Sequence, residues 1–410
     1  MDIKITPKKL HGTVTVPPSK SVAHRMIIAA ALADGVSTIS NLYPSVDILA
    51  TMDCMRALGA EIDFHGDTAV IEGIKNIPDK AVLDCHESGS TLRFLIPVAC
   101  SLGVKSEFLG SAKLPQRPIT PFTDEFPKHG ITFDFSNAPS GCTLPCSVSG
   151  KLTAGRFEID GGLSSQFITG LMFALPLLDG DSEIVLTSHL NSKPYIDITL
   201  GVLRDFGCVV KEMESGYFIK GNQHLKPFSG NVEGDYSQAA FFRVANSLGS
   251  ELEILGLNEF SLQGDRKITE ICDNFDKSGG APFELDCSDI PDLVPVLTVL
   301  ASFCKGTSRL TNIARLRFKE CDRLSVTAEC LNAMGGKVTV HEDSLEIEGV
   351  NELRGGVIEG HSDHRIPMSM AVAATRSTSP LIIRGAECVK KSFPNYFDVY
   401  KQLGGEVEVL

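Results

Sequence analysis

Apolar and polar positions follow one pattern that recurs six times along the chain. Each copy predicts a short apolar strand, a polar turn, a helix with a long apolar face, and a further apolar strand. The six helical segments begin with SKSVAHRMII, SGSTLRFLIP, SSQFITGLMF, YSQAAFFRVA, IPDLVPVLTV and HRIPMSMAVA. The copies are too long for a short-repeat solenoid, so each is predicted to be a small module that contains a βαβ unit.

Each copy then continues into a second helix that ends at a glycine and leads into another strand. These endings read ALGAEI, KHGITF, DFGCVV, KSGGAPFEL, AMGGKVTV and QLGGEVEV. A glycine at this place is typical of a helix C-terminus that ends in the left-handed conformation. The pattern therefore predicts an α/β (α+β) fold made of six similar modules.

The repeats divide the chain into two predicted lobes. Copies one to three occupy residues 14–228, and copies four to six occupy residues 229–410, with a boundary in the Gly- and Pro-rich stretch GNQHLKPFSGNVEGD. The strand predicted at Ile3–Ile5 precedes the first copy, so residues 1–13 are assigned to the C-terminal lobe. The chain would then cross between lobes twice, which allows a hinge.

Composition is that of an ordinary globular protein, with 410 residues, 43% hydrophobic and 22% charged. The first residues, MDIKITPKKL, contain no apolar run typical of a signal peptide, and no stretch is long enough to span a bilayer. Twelve cysteines occur without a CxxC pair, so we interpret them as reduced thiols and expect no bound metal. These features predict a cytoplasmic protein.

The net charge of −13 disfavours binding to nucleic acid, which requires a basic surface. Cations are nevertheless concentrated in the turns of the repeats, whereas acidic residues are spread elsewhere. An acidic protein with local basic turns is suited to a small anionic ligand held in a cleft.

Several helices of the first three copies begin with cations or hydroxyl groups. Lys20 and Ser21 open the first helix and Arg25 lies one turn on, where unpaired N–H groups and the helix dipole favour an anion. Arg117 is followed by a proline just before a helix, which suits a bidentate contact to carboxylate or phosphate. The turn 161–166, GGLSSQ, offers two hydroxyl groups and an amide.

The last two copies carry the densest charge. Asp292 lies at a helix start, the segment 315–323 reads RLRFKECDR, and SDHR at 362–365 and KKSFP at 390–394 follow. A charge run is often only a solvated face. This run, however, lies at the same place in its module as 113–118 and 390–394, which favours a binding role.

Two acidic turns are predicted to be helix caps without chemistry. The first is Ser45-Val46-Asp47 in copy one. The second is Gly234-Asp235-Tyr236-Ser237 in copy four.

The motifs PPSKSVAHR, GSTLR, QRPIT, SSQF, SKPYIDITL, IPD, RFKECDR, SDHRI and KKSFPNYF together resemble the 5-enolpyruvylshikimate-3-phosphate synthase family from about residue 12 to 400. The resemblance implies a two-domain inside-out α/β barrel with three βαβαββ repeats in each domain and an active site in the interdomain cleft. It implies transfer of the carboxyvinyl group of phosphoenolpyruvate to the 5-hydroxyl of shikimate 3-phosphate, with release of phosphate, as a step towards chorismate. Neither metal nor organic cofactor is implied, and a monomer is expected.

The resemblance also assigns residues. Those expected to bind shikimate 3-phosphate are Lys20, Ser21, Arg25, Ser164, Ser165, Gln166, Ser192, Asp292 and Lys319. Those expected to surround phosphoenolpyruvate are Lys20, Gly89, Arg117, Gln166, Arg323, Arg365 and Lys391. Two positions depart from the family pattern, because Glu87 and Arg315 stand where many members carry an amide side chain.

The implied reaction needs a base, an acid and strong neutralisation of negative charge. We hypothesise that Asp292 accepts the hydroxyl proton, and that Glu320 or Lys20 handles the proton at the methylene carbon of phosphoenolpyruvate. The neighbouring Lys319 and Arg323 should favour the charged form of Glu320, which would make it a poor acid.

Three other interpretations fit the sequence less well. UDP-N-acetylglucosamine enolpyruvyl transferases share the fold and the donor, but they usually carry a reactive cysteine before the RP dipeptide, and residues 110–118 contain none. RNA 3′-phosphate cyclases are built on related repeats, but the acidic composition and SKPYIDITL disfavour them. A non-catalytic anion-binding relative would be expected to lose Asp292 or Lys391, and both are present.

The charge distribution predicts a ligand-dependent closure. Bare cations about 4 Å apart repel by roughly 4 kcal/mol at an effective dielectric constant near 20, so cations from two lobes should stay apart until anions bind between them. Small-angle X-ray scattering should show a smaller radius of gyration once phosphoenolpyruvate and shikimate 3-phosphate are both added. An unchanged radius would contradict the prediction.

Overall fold

The computed structural model describes all residues, 1–410, and the chain forms two compact units. One unit, here called unit 1, consists of Met1–Pro17 and Gly234–Leu410. The other, unit 2, consists of Pro18–Glu233. Each unit is an α/β structure with its own hydrophobic core.

Twelve α-helices occur along the chain: α1 (Lys20–Ala31), α2 (Val46–Ala57), α3 (Gly89–Leu102), α4 (Thr120–Glu125), α5 (Ser165–Ala174), α6 (Lys193–Asp205), α7 (Tyr236–Ser247), α8 (Lys267–Lys277), α9 (Val294–Ala301), α10 (Arg323–Ala333), α11 (Arg365–Ala374) and α12 (Tyr396–Gln402). None has the combination of length and apolar content that crossing a membrane requires.

The strands are short, with three to five residues each. In chain order they are β1 (Ile3–Thr6), β2 (His11–Thr15), β3 (Val36–Ser40), β4 (Glu61–His65), β5 (Thr68–Glu72), β6 (Lys80–Asp84), β7 (Lys105–Leu109), β8 (Thr132–Asp134), β9 (Cys146–Ser149), β10 (Arg156–Ile159), β11 (Ser182–Leu186), β12 (Val210–Met213), β13 (Gly216–Ile219), β14 (Ser229–Asn231), β15 (Glu251–Leu255), β16 (Glu284–Asp286), β17 (Thr307–Thr311), β18 (Lys337–Val340), β19 (Ser344–Glu348), β20 (Gly356–Glu359), β21 (Leu381–Arg384) and β22 (Glu406–Val409).

Unit 2 contains three four-stranded sheets of one design, with strand orders β14-β3-β5-β4, β6-β7-β9-β8 and β10-β11-β13-β12. In each sheet the first two strands are parallel and the others are antiparallel. The helices α3 and α5 make the crossovers of two βαβ units, as the repeat pattern predicts. In the first sheet β14, residues 229–231, takes the place of the first strand, so this segment lies in unit 2 although the sequence pattern assigns it to the other lobe.

Unit 1 contains two sheets of the same design, β16-β17-β19-β18 and β20-β21-β1-β22. The predicted pairing of the opening strand with the C-terminal half is confirmed, because β1 is antiparallel to both β21 and β22. Copy four departs from the full pattern. Its sheet has only β15 and β2, since the strand after α8, β16, pairs instead with β17.

Local sequence accounts for where helices begin and end. The side chains of Ser19, Ser45, Ser88 and Ser164 accept hydrogen bonds from backbone N–H groups at the starts of α1, α2, α3 and α5. The predicted left-handed endings are confirmed, because the glycine that follows each second helix has a φ between 64° and 106°.

The helices supply most of the core. Ten of the twelve residues of α1 are buried, and α11 is buried along its whole length. The strands instead alternate buried and exposed positions, as in β6 and β7, which is expected of sheets with one face towards water. The buried bodies of these helices thereby hold their first turns, which gives the polar residues there fixed positions.

Helices α3 and α5 pack closely because α5 has glycine at residue 170. A Cβ atom there would overlap the carbonyl oxygen of Arg93 and lie 3.0 Å from Cγ of Pro97. Gly170→Ala should therefore lower the free energy of unfolding by about 1–3 kcal/mol, although alanine is the better helix former by about 1 kcal/mol. The matched control is Gly201→Ala at a half-buried position of α6, which should change stability by less than about 1 kcal/mol in the same thermal denaturation. Equal stability of the two variants would contradict this view of the helix contact.

Candidate active site

The start of α1 carries an ion pair that is not among the features predicted from the sequence. Lys20 Nζ lies 2.9 Å from Oδ2 of Asp47 in the first turn of α2, and both side chains are largely buried. The expectation that Ser45-Val46-Asp47 is only a helix cap is therefore wrong. Ser45 does cap α2, but Asp47 also fixes the ammonium group of Lys20 at the beginning of α1.

Arg25 is buried one turn further along α1. Its Nε donates to Thr199 Oγ1 at 2.8 Å, and its Nη2 donates to the Tyr195 carbonyl at 3.0 Å, both in α6. The guanidinium also lies 5.0 Å from the centre of the Phe94 ring. Burial lowers the pKa of Arg25 to about 9, which leaves the group charged at neutral pH. Arg25 thus ties the start of α1 to the start of α6.

The main chain at the start of α3 is not covered by a side chain, because its first residue is Gly89. A methyl group on Gly89 would lie 2.7 Å from Nη1 of Arg117, so the guanidinium lies directly against the Gly89 main chain. A side chain at this position would displace the arginine. The half-buried Glu87, one of the two departures, precedes the Ser88 cap of this helix.

Arg93 of α3 orders the start of α5. Nη1 of Arg93 donates to Oε1 of Gln166 at 2.7 Å, and Nε2 of Gln166 donates to Ser90 Oγ at 3.0 Å. The Arg93 guanidinium also stacks over the Phe167 ring at 4.9 Å. Gln166 is thereby oriented on both sides of its amide. Arg93 is not among the site residues predicted from the sequence.

The remaining hydroxyl groups lie at two helix starts. Ser164 caps α5 and Ser165 is its first residue, with 5% of Ser165 exposed. Ser192 immediately precedes α6 in the left-handed conformation, with a φ of 60°. Together with Lys20, Ser21 and Arg25, these groups form a set of donors, which we call the unit 2 cluster, that matches an anion rich in oxygen.

In unit 1 the centre of the site is Arg323, the first residue of α10. Its three nitrogens contact three carboxylates: Nε meets Asp363 at 2.8 Å, Nη1 meets Asp292 at 2.9 Å and Nη2 meets Glu320 at 2.7 Å. Only 1% of Arg323 is exposed. Burial acts to lower its pKa, but the three carboxylates hold it well above its usual value. Asp363, which is fully buried, was absent from the predicted site.

Asp292 lies in a 3₁₀ turn before α9 and is shared between two arginines. Its second oxygen accepts from Nη2 of Arg365 at 2.8 Å. Burial alone would raise the pKa of Asp292, but the charges of Arg365, Lys319 and Arg323 hold it well below its usual range. The carboxylate is therefore ionised and surrounded by cations.

Lys319 and Lys391 complete this group. We refer to Asp292, Lys319, Arg323, Arg365 and Lys391 together as the unit 1 cluster. Burial lowers the pKa of Lys319 to about 8, and Asp292 partly opposes that shift. Lys391 Nζ donates to the Ser362 carbonyl at 2.6 Å. The structure thus brings the predicted residues of copies five and six together.

Arg315, the second departure, lies in the 3₁₀ turn 314–318 that leads to Lys319. Its Nη2 donates to the carbonyl of Ser288, in the loop that carries Asp292. Its positive charge contributes to the lowered pKa of Lys319. Arg315 therefore holds two predicted site segments against each other.

One buried acid next to the unit 1 cluster was missed by the sequence analysis. Asp265 Oδ2 accepts a hydrogen bond from Ser237, and its Oδ1 is buried without a hydrogen-bond partner. Burial raises the pKa of Asp265 to about 7, and the charge of Asp292 adds to that rise. The turn 234–237 is therefore more than a cap. Asp235 caps α7, and Ser237 also holds Asp265.

No group of three or more His, Cys, Asp or Glu side chains is arranged to hold a metal ion. The two clusters instead offer backbone N–H groups, hydroxyl groups, lysines and arginines. Such donors bind carboxylate and phosphate oxygens. Asp292 adds an ionised carboxylate that can accept a proton.

Comparison with protein families gives one match over almost the whole chain. The family model of EPSP synthase (3-phosphoshikimate 1-carboxyvinyltransferase) matches residues 5–400. A 3-phosphoshikimate 1-carboxyvinyltransferase of Clostridium botulinum is 45% identical, over 98% of this chain and 97% of the relative. The enzyme of the same name from Clostridioides difficile is 41% identical, over 99% and 98%.

Solved structures show the same fold. EPSP synthase from Acinetobacter baumannii superposes with a TM-score of 0.81 at 25% identity, over the full length of both chains. The enolpyruvyl transferase NikO from Streptomyces tendae gives a TM-score of 0.78 at 16% identity, over 99% of this chain and 98% of that one.

The buried Asp265 makes stability depend on pH in a defined direction. Its pKa is about 7 in the folded protein and about 4 in an unfolded chain, so the folded state binds more protons between these values and loses stability as the pH rises towards 7. Asp265→Asn removes this dependence. The wild type should lose about 2 kcal/mol of its free energy of unfolding between pH 5 and pH 8 that Asp265→Asn does not lose. Urea denaturation at both pH values measures this difference.

The control for this experiment is Asp273→Asn, which removes an exposed aspartate from α8. Its difference from the wild type should be the same at both pH values. Parallel pH profiles for Asp265→Asn and the wild type would contradict the assignment of Asp265 as a group that titrates near neutral pH.

Proposed function

The chain belongs to the EPSP synthase family, and we propose that its two clusters bind the two anionic substrates of the family's reaction. Its activity is that of a 3-phosphoshikimate 1-carboxyvinyltransferase, which transfers an enolpyruvyl group in the shikimate pathway to aromatic amino acids. Its substrates are phosphoenolpyruvate and shikimate 3-phosphate. Both are anions, so the cations and N–H groups of the two clusters are suited to hold them.

We propose that shikimate 3-phosphate binds through the unit 2 cluster. Ser164, Ser165 and Ser192 would donate to its phosphate, since neutral hydroxyl groups and helix N–H groups bind phosphate oxygens well. Ser21 and Arg25 would add a hydroxyl group and a fixed positive charge. Lys319 and Asp292 of the other unit would contact the ring hydroxyls.

Phosphoenolpyruvate carries a phosphate and a carboxylate and so requires more positive charge. In this proposal it is bound by Lys20, Gly89, Arg117 and Gln166 of unit 2 and by Arg323, Arg365 and Lys391 of unit 1. The observation that supports this role is the state of Arg323 and Arg365. Both are buried, charged and held in place by carboxylates, as a rigid carboxylate or phosphate site requires.

Asp292 is proposed to accept the proton of the 5-hydroxyl as that oxygen attacks phosphoenolpyruvate. Its low pKa makes it a weak base while Arg323 and Arg365 contact it. An anionic substrate would compete for these same guanidinium groups. Loss of one contact raises the pKa of Asp292 and makes it a stronger base when both substrates are bound.

The proton for the methylene carbon would come from Glu320 or Lys20. Glu320 contacts Arg323 at 2.7 Å, which favours its charged form, whereas Lys20 carries a proton in its pair with Asp47. The resulting tetrahedral ketal would then lose phosphate and one proton of its methyl group, which would return to the group that donated it, so that the carbon–carbon double bond forms again. The cations that bound the phosphate group would stabilise it as it leaves.

We further propose that the enzyme acts as a monomer in the cytoplasm and needs neither a metal nor an organic cofactor. All twelve cysteines are free thiols, which supports a reducing compartment. One chain supplies every residue of the proposed mechanism.

The deciding assay is release of phosphate from phosphoenolpyruvate by the purified protein. Release should require shikimate 3-phosphate. Release that instead required UDP-N-acetylglucosamine, or no release with either acceptor, would contradict the proposed function.

Asp292→Asn tests the proposed base in the same assay. The amide retains the shape of the side chain but cannot accept the proton, so turnover should fall by about 10²–10⁴-fold. Binding of shikimate 3-phosphate, measured by calorimetry, should remain detectable because the unit 2 cluster is intact. Asp289→Asn, three residues earlier in the same loop, is the control and should keep its turnover. Near-normal turnover of Asp292→Asn would refute the role.

A further inference from the structure

A chain of buried polar side chains connects three helices of unit 2 beneath the proposed phosphoenolpyruvate site. Nδ1 of His24 in α1 lies 2.7 Å from Oγ1 of Thr51 in α2, and this oxygen lies 2.7 Å from Oγ1 of Thr91 in α3. Thr91 Oγ1 is in turn 2.7 Å from Oγ of Ser88, the cap of α3. We refer to His24, Thr51, Thr91 and Ser88 as the relay.

The relay is shielded from water. His24 and Ser88 are each 1% exposed, and Thr51 and Thr91 are fully buried. A buried hydroxyl group without a partner is costly, so each contact in such a chain depends on its neighbours. The members belong to three helices, and the relay therefore fixes the relative positions of α1, α2 and α3.

The directions of the hydrogen bonds determine the form of His24. Thr91 Oγ1 donates to Ser88 Oγ, so the contact between Thr51 and Thr91 takes the single hydroxyl proton of Thr51. The proton between His24 and Thr51 must therefore come from Nδ1–H of His24. Consistent with this, Nε2 of His24 is buried without a hydrogen-bond partner. Thr51 Oγ1 also lies 3.3 Å from the carbonyl of Asp47, four residues earlier in α2.

Electrostatics favour the neutral ring. Burial, followed by the charges of Lys20 and Arg25, holds the pKa of His24 well below its usual value. His24 therefore acts as a fixed hydrogen-bond donor and carries no charge at neutral pH.

Both ends of the relay reach residues of the proposed site. At Thr51 it meets Asp47, whose carboxylate holds Lys20 at 2.9 Å. At Ser88 it adjoins Gly89, whose main chain lies against the Arg117 guanidinium. A shift of α2 would move Asp47 and, with it, the ammonium group of Lys20. A shift of α3 would move Gly89.

We propose that His24 and Thr51 are positioning residues for phosphoenolpyruvate, with the Nδ1–H form of His24 setting the hydrogen bonds that align Lys20 with Gly89. This proposal rests on the proposed function, since it assigns a role within that site. Neither residue is a catalytic group. Both act through Asp47, Thr91 and Ser88.

The kinetic test compares Thr51→Val with Thr51→Ser. Valine has the shape of threonine without the hydroxyl group, so His24 and Thr91 would lose a partner, and the KM for phosphoenolpyruvate should rise about tenfold with kcat changed by less than about threefold. Serine retains the hydroxyl group and should restore the KM. An unchanged KM in Thr51→Val would overturn the proposal.

Ile48→Val is the control for a structural effect alone. Ile48 is 2% exposed in the same helix and takes no part in the relay. It should lower thermal stability and leave the KM for phosphoenolpyruvate unchanged. A KM that rises equally in this variant would also overturn the proposal.

A second pair of variants tests the donor, and it remains informative if Thr51→Val does not fold. The amide nitrogen of asparagine can take the place of Nδ1, so His24→Asn should keep the KM near that of the wild type, whereas His24→Leu should raise it. Equal values for the two variants would contradict the donor role.

The form of His24 is measurable without any activity. In ¹⁵N-histidine spectra of the wild type, the signal that disappears in His24→Asn should show a protonated Nδ1. A protonated Nε2 would overturn the proposal. Absence of phosphate release by the wild type would instead count against the proposed function, so the two failures are distinguishable.

Discussion

The burial of positive charge beside carboxylates is the constraint on which this structure depends. Arg323 has three carboxylates around one guanidinium, and Arg365 shares one of them. Removing such charges from water costs several kcal/mol for each ion, and hydrophobic replacements are often as stable. Stability alone therefore does not explain the contacts, whereas the proposed function does, because it needs cations held in fixed positions for an anion. Lys20 and Asp47 show the same arrangement in unit 2.

The repeated modules explain how such charges are gathered. Helices such as α1 and α11 are buried almost throughout, so their first turns cannot move independently of the core. Each module then has one place where polar groups combine with unpaired N–H groups, the start of its first helix. Lys20, Gly89, Gln166 and Arg365 all lie in the first turns of such helices. Repetition of one βαβ design thereby supplies several helix starts that, under the proposed function, bind anions.

The sequence predicted what depends on local chemistry. The helix starts at Lys20 and Gly89, the left-handed glycines and the pairing of the first strand follow from caps, turns and periodicity. Asp47, Asp363 and Asp265 were missed because their local patterns are those of ordinary caps and turns. Their roles come from partners elsewhere in the chain: 27 residues separate Lys20 from Asp47, and 40 separate Arg323 from Asp363. Nothing in a single sequence identifies such pairs.

Under the proposed function, the contacts that hold the site also set when it can act. Asp292 balances part of the charge of Arg323 and Arg365, and both arginines are stabilised by it. A bound ligand with a phosphate and a carboxylate would compete for these arginines and would weaken their contacts to Asp292. Lys319, whose pKa of about 8 reflects burial, remains as a neighbouring cation. Under the proposed mechanism Asp292 becomes a stronger base only when phosphoenolpyruvate, which the hydroxyl oxygen attacks, is bound. Proton transfer is thereby linked to occupancy of the site. The coupling follows from competition for two guanidinium groups and requires no separate regulatory element.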